Sequence, residues 1–95
     1  QAAAVAAHRE AVGHYRAVLA HAERIAPAAR AELLEGYSVE AYVSGFAQEA
    51  LDVRRAALSI READGDPDKL GEGLRWLSRV CWWAGRRQEA EAQAA

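Results

Sequence analysis

Two helical patterns meet at the dipeptide Ser44-Gly45, inside the stretch Leu33 to Ile60 (LLEGYSVEAYVSGFAQEALDVRRAALSI). Apolar residues recur three and four apart on both sides of it, which is helical spacing. Glycine reaches the left-handed region at no steric cost, so Gly45 suits a turn between two antiparallel helices. A chain built from such turns folds as helix against helix, because each apolar stripe needs a neighbour to cover it.

The other breaks divide the remaining chain in the same way. Val5, Val12, Tyr15, Val18, Leu19, Ala22 and Ile25 mark a first helix over about residues 3–25. Pro27 ends it and fits the first position of the next helix. That second helix spans about 27–43 on Leu33, Leu34, Tyr37, Ala41 and Tyr42, and Gly36 inside it suggests a close neighbour. A third spans about 47–63 with a broad apolar surface. At Asp64-Gly65-Asp66-Pro67 the glycine can close it, Asp66 can cap a fourth helix, and Pro67 can open that helix. The fourth is expected over about 67–84, with Leu70, Leu74, Leu77, Val80 and Cys81 facing inward. Gly85 then reads as a turn into a short fifth helix from Arg87 to Ala95.

Ala, Leu, Glu, Arg and Gln dominate, and all are strong helix formers. Twelve basic residues stand against fourteen acidic ones, a net charge of -2, so no bulk attraction to nucleic acid or to an anionic membrane is expected. Cys81 has no second cysteine to pair with; a reducing cytoplasmic setting is the simple expectation. No apolar run approaches the roughly 18 residues of a membrane span. The opening Gln1-Ala2-Ala3-Ala4 carries no initiator Met, and a piece of a longer chain, forming one domain over 1–95, is expected.

Glu-Ala pairs recur at Glu10-Ala11, Glu49-Ala50 and Glu89-Ala90, spaced 39 and 40 residues apart. Gly45 and Gly85 stand four residues before the second and third pairs, and Leu19 and Leu58 nine after the first and second Glu. Two helices per period of about 40 is the pattern of a helical solenoid. The chain resembles the tetratricopeptide repeat on Gly45, Ala50 and Ala57, and on Gly85 and Ala90. Tyr37-Ser38-Ala41 and Leu77-Ser78-Cys81 stand where that family packs its first helix, and Tyr15 fits an aromatic site. It departs from the family in its longer period and in Arg54, where an aromatic residue is usual. The segments AHREAVGHYRAVLAHAERIAPAARAELLE and LRWLSRVCWWAGRRQEAEAQA further resemble the repeat region of large actinobacterial regulators of the LuxR type.

The resemblance implies an all-α, tetratricopeptide-like solenoid of about five helices in antiparallel pairs, with partial repeats over 1–26 and 67–95 around a full one over 27–66. It implies a non-catalytic protein-interaction scaffold within a transcription regulator. The alternative is a module that senses a small molecule or peptide in the concave groove. Expected partners are a protein, a peptide or other domains of the parent chain, with self-association through exposed repeat ends and no direct contact with nucleic acid or membrane.

Chemistry finds few candidates. His8, His14 and His21 lie on one helix, and the seven-residue step from His14 to His21 is about 10 Å along the axis, too far for one metal. Cys81 reads as a buried small hydrophobe. Carboxylates such as Glu32 and Glu35 read as a solvated face. No phosphate-binding loop is present, and no cofactor is expected. The patch that stands out lies on the fourth helix. Arg75, Arg79 and Trp82 follow i, i+4, i+7, and Trp76, Arg79 and Trp83 follow i, i+3, i+7. With Tyr42 they are expected to form a surface for an acidic or aromatic-bearing peptide, since Trp and Arg dominate interfaces. The competing expectation packs the tryptophans on a following repeat and leaves the arginines in water.

Overall fold

A computed structural model describes the backbone of residues 2–94 and the side-chain surroundings of residues 3–86. Within these limits the protein is all-helical. α1 spans Ala2–Leu19, a short 3-10 turn spans Ala22–Arg24, α2 spans Pro27–Val43, α3 spans Ala47–Asp64 and α4 spans Pro67–Ala94. Each helix packs chiefly on its neighbours in sequence, and α2 with α3 forms the most extensive pair.

The two left-handed glycines make the sharp turns. Gly45 has φ 86° and Gly65 has φ 81°. At the first, the Phe46 amide donates to the Ala41 carbonyl at 2.8 Å and the Gly45 amide to the Tyr42 carbonyl at 3.1 Å. This crossed pair is the Schellman closure, which satisfies carbonyls left open at the helix end. At the second, Asp66 caps α4: its Oδ1 accepts from the Asp68 amide at 3.0 Å and the Lys69 amide at 3.3 Å. Pro27 and Pro67 open α2 and α4, as their spacing from the breaks predicts.

The core is small and drawn from all four helices. Val12 of α1, Tyr37 and Ala41 of α2, Ala50 and Leu51 of α3, and Val80 of α4 form one buried cluster. Ala50 is fully covered and Ala57 nearly so. Gly36 has its expected neighbour: Tyr15 of α1 lies against it, and the Tyr15 ring stacks on Tyr37 at 5.8 Å between centroids. Gly73 is the matching contact on α4, with Leu58 Cδ2 2.7 Å from where a Cβ would stand.

Three expectations are corrected. α1 ends at Leu19, short of Ile25, because the chain tightens into 3-10 bonds (the His21 amide donates to Val18 at 3.3 Å) before Pro27. Arg30 of α2 then donates to the Ala22 carbonyl at 3.3 Å. Secondly, the described residues hold four α-helices and not five: α4 runs through Gly85 to Ala94 as one 28-residue helix. Gly85 has ordinary helical φ, so it makes no turn. The side chains of Glu89 and Ala90 lie outside the described residues. Thirdly, the inner side of α4 is rotated from the expected one. Gly73 and Val80 are buried, with Trp76, Leu77 and Ala84 beside them, whereas Leu74 is 48% exposed and Cys81 is exposed. Among the described residues, no helix packs over Ser78 and Cys81.

Candidate functional site

The expected surface residues on α4 divide into two groups. Tyr42 and Trp76 meet edge to face at 6.3 Å. The Arg79 guanidinium lies 5.1 Å from the Trp76 ring centre and that of Arg54 lies 5.7 Å from it. Two cations on one indole is a strong use of the ring quadrupole, which attracts positive charge to its faces. Arg54, absent from the expected surface, is the foundation of this group. It is only 3% exposed, donates to the Glu35 carbonyl at 3.3 Å, and finds no partner for Nε among the described residues. Burial pushes its pKa below the ordinary guanidinium value, against the pull of Glu35 and Glu72.

The second group lies further along α4. Trp82 and Trp83 meet edge to face at 5.2 Å, and Arg86 sits 4.9 Å over Trp82. These tryptophans are 56% and 50% exposed. Large adjacent apolar rings in water are the informative exception on a soluble surface. Arg75 is exposed as well, folded back toward Gly71. Arg75, Arg79, Trp82 and Arg86 therefore share the side of α4 that faces away from Val80 and Gly73. The four-residue step from Trp82 to Arg86 was the available signal for including Arg86.

Two polar networks at the helix interfaces were not legible as such. Glu35 does not stand in water: Arg61 donates to it twice, at 2.9 and 2.7 Å, and holds its carboxyl below the ordinary range. Glu49 takes two hydrogen bonds from Arg16, at 2.8 and 2.6 Å, and a further one from the Tyr37 hydroxyl. Arg16 lowers the Glu49 carboxyl, while burial and then Glu49 raise the Tyr37 phenol. Arg9 and Arg16 both approach the Phe46 ring, at 5.9 and 5.5 Å. These contacts join α1, α2 and α3, and their geometry explains them as packing.

His8 Nδ1 lies 2.5 Å from Glu40 Oε2, while His14 and His21 are exposed. No three His, Cys, Asp or Glu side chains gather in metal-binding range among the described residues. No described helix is long and apolar enough to cross a membrane. A shallow cleft of about 460 Å³ lies between the start of α2 and the end of α3, lined by Pro27, Ala28, Arg30, Ile60 and Asp64 among others.

Comparison with protein-family models, curated proteins and solved structures finds no match. The described residues form an all-α arrangement of four helices, with arginines and tryptophans exposed along α4.

Proposed function

We propose that this is a non-catalytic protein-interaction module, and that it engages a protein partner through the outer face of α4. The observation that carries this reading is the exposure of Trp82 and Trp83 beside Arg79 and Arg86. Covering those rings removes apolar area from water at about 25 cal/mol per Å². The arginines select a partner with carboxylates spaced to meet them. The tetratricopeptide-like arrangement remains part of the proposal. It is supported by the left-handed Gly45 and by buried Tyr37, Ser38, Ala41, Ala50 and Ala57 at the repeat's packing positions. The same resemblance supports a place in the middle of a LuxR-type regulator.

The test is a titration with a synthetic amphipathic peptide rich in Glu and Leu, followed by Trp fluorescence. Saturable binding to the wild type, lost in Arg75→Glu/Arg79→Glu with helicity unchanged, supports the reading. Equal binding by the double variant contradicts it. A second reading, small-effector sensing, is favoured by the cleft beside Ile60, whose volume falls within the range of ligand pockets. A small-molecule thermal shift abolished by Ile60→Glu would favour it.

A further inference from the structure

We infer that the occupant of the α4 outer face is a second copy of this chain, docked antiparallel. This rests on the interaction reading above and names its partner. Asp68, Glu72, Arg75, Arg79, Trp82 and Arg86 follow one another at alternating spacings of four and three, and all six are exposed. That alternation is the spacing of a helix-pairing seam, because it keeps one stripe facing a neighbouring helix along its length. Here the stripe is sorted by charge: two acids, then two arginines, then Trp82 and Arg86. A stripe sorted in this way is complementary to itself when reversed, which is the requirement of an isologous two-fold contact.

The charges also select the register. With the two-fold axis between Gly73 and Leu74, Asp68 of one copy stands level with Arg79 of the other, and Glu72 with Arg75. Symmetry makes each pairing twice. Sliding one copy by seven residues toward its amino end sets Arg75 level with Arg79, and sliding it by seven toward its carboxyl end sets Asp68 level with Glu72, so like charges face each other either way. The favoured register carries Trp82 and Arg86 past the start of the opposite α4, toward its acidic turn at Asp64 and Asp66. Within one protomer, the ion pairs among the described residues are His8–Glu40, Arg16–Glu49 and Arg61–Glu35, so none of them uses this stripe. A contact between two single helices lies at the small end of protein interfaces. The dimer is therefore weak, concentration-dependent and loosened by salt.

Sedimentation equilibrium tests this with two variants that reverse opposite halves of the stripe. Asp68→Lys/Glu72→Lys makes it wholly basic, and Arg75→Glu/Arg79→Glu makes its first four charges acidic. The expected result is a wild-type dimer at high concentration, two monomeric variants of unchanged helicity, and a heterodimer when the variants are mixed. Wild type that stays monomeric at near-millimolar concentration overturns the inference, as does a dimer indifferent to either variant or a mixture that fails to associate. A monomer that still binds the Glu-rich peptide through Trp82 overturns self-pairing and leaves the interaction reading standing. A monomer that binds no such peptide sinks both.

Discussion

Arg61 grips the Glu35 carboxylate with Nε and an Nη, at 2.9 and 2.7 Å, and so ties the end of α3 to the middle of α2 across 26 positions of sequence. The Arg61 side chain is 8% exposed and that of Glu35 21%. Charge-assisted, two-point pairs of this kind are the strong ones. Arg61→Ala strands Glu35 and is expected to cost about 1–3 kcal/mol, read from urea unfolding.

The same pair sets a pH dependence. Arg61 lowers the folded pKa of Glu35, and Arg16 lowers that of Glu49, so both carboxylates bind protons more readily in the unfolded chain. Their contribution is fully present above the ordinary value of 4.5 and is lost as pH falls through the depressed folded values. Urea midpoints measured from pH 7 down to pH 3 should therefore fall in wild type. The Glu35→Gln/Glu49→Gln variant should start lower and fall less. Parallel curves would show that these pairs do not govern acid stability.

The glycines test the course of the chain. Gly85 is helical with open space where a Cβ would stand, so Gly85→Ala should stabilise by up to about 1 kcal/mol. Gly65 has φ 81°, and Gly65→Ala should cost about 1–2 kcal/mol, because an L side chain is strained there. Gly73→Ala drives its methyl into Leu58 and should cost about 1–3 kcal/mol before the helix-propensity gain offsets part of it. Thermal melts of the three variants read all of this; a destabilised Gly85→Ala would restore a turn at that position.

These glycines also show where the sequence was legible. Gly45, Gly65, Asp66, Pro27 and Pro67 act locally, through dihedral limits and caps, and α2 was readable from end to end. Gly85 stands in the same place relative to its Glu-Ala pair as Gly45 does, yet a glycine permits a left-handed turn without requiring one. What distinguishes Gly45 is a Phe46 amide that returns to Ala41, and Phe46 packs against the core. The face of α4 was half legible. Arg75, Arg79 and Trp82 share a side by spacing alone, but whether Cys81 or Gly73 faces inward depends on which neighbour α4 has. Leu58 of α3 decides for Gly73. Arg54 was hardest to read, since nothing local separates a buried arginine from a solvated one.

Arg54 also makes a test of packing against charge. Its guanidinium is buried with one carbonyl partner and an indole face. Arg54→Ala leaves a hole beneath Trp76 and should cost about 2–4 kcal/mol by analogy with large-to-small core changes. Arg54→Met keeps most of the volume without the desolvated charge, and should recover most of that loss or exceed wild type. A Met variant as unstable as the Ala variant would mean that the charge itself holds α4 in place.

The outer face of α4 is proposed as a surface for another protein, and indole N–H resonances report on that face one ring at a time. In a titration with the Glu- and Leu-rich peptide, Trp82 and Trp83 should shift together and saturably. Trp76, covered by Arg54, Arg79 and Tyr42, should move less, and Arg75→Glu/Arg79→Glu should abolish all three responses. Shifts confined to Trp76, or unchanged in the double variant, would contradict the claim that Trp82 and Trp83 are exposed in order to bind.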